Sequence, residues 1–447
     1  MGLFDRLRGD EGPRVAFFGI DGVPFSLLDD HPEEFEHLAA LAEDGSAGAI
    51  DSIVPPESSA CWPSLTTGVN PGETGVYGFQ DRENGSYDTY VPMGRDVQAT
   101  RLWQRVTDAG RDATVMNVPV TFPPEQDTQR MVSGFLSPGI DRAAQPEELR
   151  SRLDSLDYRI DANAKLGHDD DKSAFIEDAH ETLDARFEVF KHYIQEDDWD
   201  LFFGVFMTTD RVNHFLFKHY SRDGEYRQEF IDFYRKLDRY LGELRGMLGD
   251  DTTMMVASDH GFTTLEYEVH LNEWLRQEGW LSYDDDDHDE LDDISESSRA
   301  YSLIPGRFYI NLEGREPRGS VPEAEYEEVR DELKTKLEGL KGPDGNPVAD
   351  RVETKENAYR GDHDDIAPDL TVVPNHGFDL KAGFKGSEEV FGTGPRNGMH
   401  SFDNASLFVD DPEASMRDAD LYDVAPTILS LMDIDYDRTE FDGASLV

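Results

Sequence analysis

Short apolar runs alternate along this chain with longer segments in which apolar residues recur at helical spacing. The apolar runs predict β-strands at 15–20, 113–118, 201–207, 253–257, 308–311, 370–373 and 406–409. The periodic segments predict helices at 33–43, 100–109, 172–195, 225–248, 324–340 and 422–432. Because strands that alternate with helices tend to pair in parallel beneath them, the pattern predicts an α/β fold with a mostly parallel central sheet.

The chain shows no internal repeat and no convincing linker between domains. The acidic stretch at 284–298 is interpreted as a solvated loop, in preference to a metal site at its single histidine, His288. We therefore expect one catalytic domain over residues 1–447, with inserted or cap segments at 137–198 and 282–345.

The composition is strongly acidic. The 447 residues include 95 acidic and 42 basic side chains, which gives a formal net charge of −53. Such a surface repels the phosphates of nucleic acids and anionic membranes, so the charge argues against nucleic-acid packaging and membrane-surface binding. Because the acid is spread along the whole chain, we interpret the protein as halophilic and archaeal, adapted to molar salt where screening acts over about 3 Å. An ordinary acidic cytosolic protein is the alternative.

Several absences in the sequence bear on its location. A single cysteine, Cys61, excludes an internal disulfide. No apolar run reaches the roughly 20 residues that a membrane span requires. The N-terminal segment MGLFDRLRGDEGPR has neither the apolar stretch of a signal peptide nor a serine or threonine at the myristoylation position. We expect a cytoplasmic protein, and its oligomeric state stays open.

Acidic and histidine residues follow several of the predicted strands. Asp21 comes directly after the run at 15–20, where a carboxylate points into the crevice that open α/β sheets use for ligands. Asp210 and His214 follow the run at 201–207, and their i, i+4 spacing places both on one face of a helical turn. There they can share one metal ion, although a turn aspartate and a helix cap are the simpler alternatives.

Two further positions extend this set. Asp259 and His260 follow the run at 253–257, and Gly261 allows the chain to turn sharply after them. His400 lies in GMHSF among small or flexible residues, which predicts a ligand delivered by a loop. A surface histidine is the alternative for His400 when it is taken alone.

A candidate nucleophile lies in the segment PPESSACWPSLTTG. Ser58 and Ser59 precede a helix-like stretch, and a helix N-terminus offers unpaired N–H groups and partial positive charge to a phosphate. A serine hydroxyl becomes a good nucleophile when a neighbouring metal lowers its pKa. Simple capping of the helix by either serine is the alternative interpretation.

Taken together, these residues predict a site for two divalent metal ions. The ligands of one ion would be Asp210, His214 and His400, and those of the other would be Asp21, Asp259, His260 and the oxygen of Ser58 or Ser59. Ions about 4 Å apart can stabilise the attacking and leaving oxygens of a phosphoryl displacement. Mixed oxygen and nitrogen ligands without thiolates favour Zn²⁺, with Mn²⁺ or iron as alternatives.

The order of these motifs resembles the alkaline phosphatase superfamily, and most closely its type I phosphodiesterase/nucleotide pyrophosphatase family. The matching segments are FFGIDG at 17–22, NVPVTFPP at 117–124, MVSGF at 131–135, TTDRVNHF at 208–215, SDHGF at 258–262, INLEGREP at 310–317, DVAPTILSLMDI at 423–434 and FDG at 441–443. The resemblance implies an alkaline-phosphatase-like α/β/α sandwich, a small phosphate-ester substrate and metal ligands at Asp21, Asp210, His214, Asp259, His260 and His400.

The resemblance also selects between the two serines. The family's nucleophile lies nine residues before the threonine of a Thr-Gly pair, here Thr67, which points to Ser58 and implies a covalent phospho-serine. Many relatives carry threonine at that position. The asparagine with which nucleotide pyrophosphatases hold a phosphate oxygen is replaced by Phe79. Sulfatases share the fold, but CWPSL lacks their arginine, and Cys61 lies past the nucleophile position.

We therefore expect a metal-dependent phosphohydrolase acting on phosphodiester or nucleotide pyrophosphate bonds. A phosphomonoesterase or phosphotransferase on the same two-metal site is one alternative, and a catalytically inactive metal-binding protein is another. We expect the substrate pocket to be built by residues 117–135 and 143–195, although no substrate motif is readable there. Arg211 is a candidate phosphate contact, although we interpret it in preference as a surface cation paired with one of the many acids.

Overall fold

The computed structural model describes residues 12–386 and 389–447. Residues 1–11 and 387–388 lie outside this range, so most of the N-terminal segment interpreted above is outside the described residues. No helix of the described part is both long enough and apolar enough to cross a membrane.

The strands follow the predicted order with additions. In chain order they are β1 (Arg14–Ile20), β2 (Ser46–Ile50), β3 (Asp81–Arg82), β4 (Thr89–Tyr90), β5 (Ala113–Val118), β6 (Arg130–Ser133), β7 (Ala144–Gln145), β8 (Leu201–Phe206), β9 (Thr252–Ala257), β10 (Gly261–Thr264), β11 (Tyr267–His270), β12 (Ala300–Leu303), β13 (Arg307–Ile310), β14 (Ala349–Thr354), β15 (Leu370–Pro374), β16 (Phe378–Lys381), β17 (Phe391–Gly392), β18 (Gly398–Ser401) and β19 (Ala405–Val409).

The helices likewise include every predicted one, with ends that differ by a few residues. They are α1 (Phe25–Asp29), α2 (Glu36–Asp44), α3 (Ser58–Thr67), α4 (Pro71–Thr74), α5 (Leu102–Asp108), α6 (Ile140–Ala143), α7 (Glu147–Ser155), α8 (Ser173–Glu196), α9 (Thr208–Ser221), α10 (Arg227–Arg245), α11 (Leu271–Gln277), α12 (Tyr326–Glu338), α13 (Lys355–Ala358) and α14 (Val424–Leu431).

A mostly parallel sheet lies at the centre of the molecule, which confirms the predicted fold class. Among the described residues it has eight strands in the order β2-β19-β9-β1-β8-β5-β6-β7. Strand β1 pairs in parallel with both β8 and β9, whereas β19 and β7 run antiparallel to these strands, and β2 pairs antiparallel with β19 at one side. The order places the three apolar runs that precede the candidate ligands next to one another.

Strand β1 shows why helices cover both faces of this sheet. Ala16, Phe18 and Ile20 pack into one hydrophobic cluster with α2, α8, α9 and α10. Val15 and Phe17 pack into a second cluster with α3, α5 and α14. Because successive side chains of a strand point to opposite faces, a continuous apolar run requires cover on both sides.

A second, antiparallel sheet stands beside the central one. In the described residues it has four strands in the order β12-β13-β15-β14, with helix α12 packed against it over a separate core. The predicted strands at 308–311 and 370–373 belong to this sheet and not to the central one. A short hairpin joins β12 to β13, and such a connection produces antiparallel pairing. That residues 137–198 and 282–345 are inserted or cap segments stays a prediction.

Candidate metal centre

The candidate ligands come from neighbouring strands of the central sheet. Asp21 follows β1, Asp210 lies in the first turn of α9 directly after β8, and Asp259 and His260 follow β9. Because β8, β1 and β9 are adjacent and parallel, their carboxyl ends meet at one edge. Asp21, Asp259 and His260 are completely buried there.

The first group of ligand atoms comes from Asp210, His214 and His400. The Oδ1 atom of Asp210 lies 3.3 Å from His214 Nε2 and 3.2 Å from His400 Nε2. The two Nε2 atoms are 3.1 Å apart. Ligands bound to one tetrahedral Zn²⁺ at about 2.0–2.1 Å lie roughly 3.3 Å from one another. The three atoms therefore have the spacing of ligands to a single ion.

The second group includes the candidate nucleophile. The Nε2 atom of His260 lies 3.2 Å from Ser58 Oγ, 3.5 Å from Asp259 Oδ2 and 3.7 Å from Asp21 Oδ1. Ser58 Oγ is 3.4 Å from Asp21 Oδ1. Asp210, His260 and His400 also offer atoms within 4.8 Å of one another, so His260 lies between the two groups.

The three histidines are held in the orientation that metal binding needs. Each ring places its Nδ1 atom within 2.9–3.1 Å of a backbone carbonyl oxygen. The pairs are His214 with Gly398, His260 with Gly261, and His400 with Pro56. A neutral imidazole that donates from Nδ1 keeps a lone pair on Nε2, so all three Nε2 atoms are available as ligands.

Each of these aspartates accepts a hydrogen bond on one carboxylate oxygen, which leaves the other oxygen for the candidate metal centre. Trp62 Nε1 donates to Asp21 Oδ2 at 2.7 Å, and the Gly22 N–H donates to Asp259 Oδ1 at 3.2 Å. The remaining oxygen of Asp259, Oδ2, is buried and has no hydrogen-bond partner among the described residues. Because a buried carboxylate oxygen without a partner is costly, this donor set fits a cation.

The pKa values of the three aspartates also favour a bound cation. Burial, reinforced by neighbouring carboxylates, raises the pKa of Asp21 well above its usual range and that of Asp259 to about 7. Burial opposes ionisation of Asp210 as well, but His214, His400 and Arg211 outweigh it and hold its pKa well below the usual range. Positive charge among these side chains would relieve the crowding of the three carboxylates.

Ser58 is positioned by close packing of α3 on β1. It is the first residue of α3, and Trp62, one turn later, lies against β1 and donates to Asp21. Gly19 makes this approach possible, because a Cβ atom there would lie 2.3 Å from the Trp62 ring. The glycine of the FFGIDG segment thus allows α3, with the candidate nucleophile, to lie beside the candidate ligand Asp21.

Arg211 is not the surface cation that the sequence analysis expected. Its side chain is 10% exposed and lies between two carboxylates. Nη1 donates to Asp210 Oδ2 at 3.0 Å, while Nε and Nη2 donate to Asp161 Oδ2 at 2.9 and 2.8 Å. The guanidinium also lies over the Phe135 ring, 4.6 Å from its centroid. Asp161 was missed because it lies in a polar loop 50 residues earlier without any motif around it.

His400 is delivered by a strand, and the expectation of a loop was wrong. It lies in β18, which pairs with β10 so that His400 stands opposite Phe262. Strand β10 continues directly from His260, so the pairing brings the two histidine rings together with centroids 3.9 Å apart. Elsewhere, His288 stacks on Tyr283 in the acidic stretch, away from these ligands.

A cavity of about 380 Å³ opens over Ser58, Asp210, His214 and His400. The segments 117–135 and 143–195, which were expected to build it, contribute only Phe135 and Ala164 to its lining. One apolar wall instead comes from the second sheet and its neighbouring strand. Its residues are Ile304, Pro305, Val372, Pro374, Phe378 and Leu380. No motif in the sequence indicates this wall, because it depends on how the second sheet packs against the central one.

Comparisons with known proteins agree with this architecture. The sequence model of the type I phosphodiesterase / nucleotide pyrophosphatase family matches residues 15–403. A search of curated proteins found no match. Phosphonoacetate hydrolase from Sinorhizobium meliloti 1021, solved with phosphonoacetate, is 17% identical with a TM-score of 0.62, over 94% of this chain and 95% of that one.

Two other solved structures have the same fold at lower identity. Murine ectonucleotide pyrophosphatase / phosphodiesterase 5 in complex with AMP is 14% identical, with a TM-score of 0.56, over 95% of this chain and 96% of that one. Alkaline phosphatase PafA is 13% identical, with a TM-score of 0.62, over 98% of this chain and 99% of that one.

Proposed function

This chain belongs to the type I phosphodiesterase / nucleotide pyrophosphatase family of metal-dependent phosphoryl hydrolases, and we propose that it cleaves phosphodiester or nucleotide pyrophosphate bonds through a covalent phospho-serine at Ser58. The observation that carries this proposal is the position of Ser58 Oγ. It lies 3.2 Å from His260 Nε2 and 3.4 Å from Asp21 Oδ1, at the floor of the cavity.

Two divalent ions, which we propose to be Zn²⁺, fit the two groups of ligand atoms. Asp210, His214 and His400 would hold one, and Asp21, Asp259, His260 and Ser58 would hold the other. Bound there, divalent cations would lower the pKa of the Ser58 hydroxyl and offset negative charge on the phosphoryl oxygens. Mn²⁺ and iron suit the same donors, so metal identity is part of the test.

In the proposed reaction, Ser58 Oγ attacks phosphorus while the bond from phosphorus to the leaving-group oxygen breaks. The leaving group departs as an alcohol or phosphate, and the phosphoryl group stays on Ser58 as an ester. Water then attacks the same phosphorus and regenerates the serine. Helix α3 begins at Ser58, so the partial positive charge of its N-terminus would attract the phosphoryl oxygens during both steps.

The chain's own residues also keep the reacting groups in place. Trp62 fixes Asp21, and Arg211 fixes Asp210, each through the oxygen that faces away from the centre. The carbonyl of Glu57 accepts hydrogen bonds from Ala60 and Cys61 at 2.8 and 2.9 Å, which anchors the first turn of α3. Because these groups are already in place, they need not move as negative charge develops on the phosphoryl oxygens.

The test compares two adjacent serines. Hydrolysis of bis(p-nitrophenyl) phosphate and of p-nitrophenyl phosphate would be measured in molar KCl with Zn²⁺ or Mn²⁺, for the wild type, Ser58→Ala and Ser59→Ala. We expect Ser58→Ala to abolish turnover with metal content retained, and Ser59→Ala to keep it. A phosphorylated Ser58 peptide in acid-quenched reactions would support the covalent step, and undiminished turnover by Ser58→Ala would contradict the proposal.

The same assay separates the two alternatives. Preference for the monoester would favour a phosphomonoesterase or phosphotransferase on this site. Absence of turnover on every phosphate ester, despite a full metal load, would favour an inactive metal-binding protein. The close approach of Ser58 Oγ to the ligand atoms is our reason for placing catalysis first.

A further inference from the structure

Glu57 is an acidic residue directly beside the proposed nucleophile. It precedes Ser58 in extended conformation, with φ −139° and ψ 129°, and lines the same cavity as Ser58, Asp210 and His400. Its backbone carbonyl caps the first turn of α3, but its side chain makes no capping hydrogen bond. The helix therefore explains the backbone conformation of Glu57, and the Ser59 N–H of its first turn attracts the carboxylate, but the second carboxylate oxygen stays unexplained.

One oxygen of the Glu57 carboxylate lacks a partner. The Oε2 atom is buried and has no hydrogen-bond partner among the described residues. The Ser59 N–H, His400 and Arg307 attract the carboxylate, while Asp81 repels it. Arg307 is already engaged, because it is fully buried in an ion pair with Asp81. A buried carboxylate oxygen without a partner is costly, so its place beside the reacting group calls for a functional explanation.

The surroundings of Glu57 are rigid. Arg307, at the end of the hairpin that carries Ile304 and Pro305, donates to the carbonyl oxygen of Ile304 and pairs with Asp81, two residues after Phe79. Phe79, Ile304 and Pro305 all line the cavity. An organic substituent on the phosphoryl group would thus meet an apolar wall that is fixed in place beside Glu57.

We propose that Glu57 is a specificity-determining residue that makes this site favour phosphodiesters over phosphate monoesters, an inference that rests on the proposed phosphohydrolase function. A phosphoryl group attacked by Ser58 would lie in the cavity that Glu57 also lines. A monoester dianion carries one more negative charge there than a diester does. The carboxylate therefore repels the monoester more strongly, while the ester group of a diester packs against the apolar wall.

Phe79 adds to the apolar surface of the same cavity. An aromatic ring at that position of the cavity offers a diester substituent apolar contact and offers a terminal phosphoryl oxygen no hydrogen bond. Charge at Glu57 and apolar surface at Phe79 thus penalise the same substrate, a monoester with a terminal dianion.

The test removes the negative charge of the Glu57 side chain and keeps its shape. Values of kcat/KM would be measured for methyl p-nitrophenyl phosphate and p-nitrophenyl phosphate at pH 9, with metal-loaded wild type, Glu57→Gln and the exposed control Glu83→Gln. We expect Glu57→Gln to reduce the diester-to-monoester ratio by at least about tenfold, chiefly by raising the monoester value, because one unit charge acts at close range. Glu83→Gln should leave the ratio unchanged.

If a variant hydrolyses the esters too slowly for kcat/KM to be compared, inhibition by inorganic phosphate provides a second test. Inorganic phosphate, as a dianion, should inhibit Glu57→Gln and Glu57→Val at least about tenfold more strongly than it inhibits the wild type. An unchanged ratio and an unchanged phosphate inhibition constant, with metal content retained, would overturn the role of Glu57 alone. Failure of the wild type to hydrolyse either ester would instead overturn the proposed function, and the role of Glu57 with it.

Discussion

His214 and His400 face each other through their Nε2 atoms, which are 3.1 Å apart. The Nδ1 atom of each ring lies 3.1 Å from a backbone carbonyl oxygen, so each ring carries its proton there and directs a lone pair at the other. Two lone pairs at that distance repel unless a proton or a cation lies between them. Asp210 Oδ1 completes the triangle, and this favours a metal ion over a proton.

Removal of one corner of that triangle should remove one ion. We expect the wild type to retain two equivalents of Zn²⁺ after dialysis and His400→Ala to retain one, because two of the three ligand atoms in the group hold the ion poorly. Atomic emission spectroscopy of the dialysed proteins would measure this. His376→Ala, at a surface position, is the control. Equal metal content in His400→Ala and the wild type would contradict the assignment.

Arg211 and Asp161 are not proposed ligands, but we expect them to raise the affinity of the Asp210, His214 and His400 group for its ion. Asp161 accepts two hydrogen bonds from Arg211, which in turn donates to Asp210. In Asp161→Asn the guanidinium is held less firmly, so we expect Zn²⁺ affinity to fall by about tenfold, within the range known for such supporting residues. Isothermal titration of metal-free protein would measure it, with the exposed Asp154→Asn as control. Identical affinities would show that Arg211 is positioned without Asp161.

The central sheet was predictable because its inner strands are buried on both faces. Strands β1, β8 and β9 are continuous apolar runs, and a residue such as Asp21, Asp210 or Asp259 that follows such a run must lie at the sheet's edge. The structure brings these three carboxylates together as the sequence analysis expected. Their role as metal ligands stays a prediction that the experiments above address.

What the sequence could not predict depends on contacts between distant segments. The place of β13 in a second sheet follows from its hairpin with β12, and that of β15 from its pairing with the distant β13, neither of which apolar runs specify. The wall formed by Ile304 and Phe378 follows from how that sheet packs. The pairing of Arg211 with Asp161 depends on the path of a loop, and charged residues are too frequent here for sequence to select the partner.

Gly19→Ala should weaken both the fold and the metal centre. Its Cβ atom would lie 2.3 Å from the Trp62 ring and 3.0 Å from Val205, so α3 must shift away from β1. We expect a loss of about 1–3 kcal/mol in the free energy of unfolding, as is typical of overpacked cores. Weaker Zn²⁺ binding should accompany it, since Trp62 holds Asp21. Urea unfolding would measure the loss, and Gly383→Ala, with open space at its Cβ, should be neutral.

Asp420 should make stability depend on pH in a defined window. Burial, together with nearby Asp423 and Asp51, raises its pKa from 3.8 to about 6. Because the folded state then binds the proton more tightly than the unfolded chain, this contribution to stability is present below about pH 4 and is lost as the pH rises to about 6. Asp420→Asn keeps the acceptor for the Tyr422 N–H and should flatten that part of the profile. Parallel profiles for both proteins would contradict this assignment.

Because the net charge is −53, we expect a change in salt concentration to alter the stability of this protein more than the loss of any single ion pair would. At low ionic strength the acidic side chains of the surface, which outnumber the basic ones, repel one another, and compactness raises that cost. Screening shortens from about 10 Å at 0.1 M salt to about 3 Å at 1 M, which removes most of the repulsion. We therefore expect the unfolding midpoint of the metal-loaded protein to rise steadily between 0.1 M and 2 M KCl. A sucrose series acts through exclusion from the surface and not through screening, and it serves as the control. A midpoint that does not change with KCl would show that the acidic surface is not adapted to high salt.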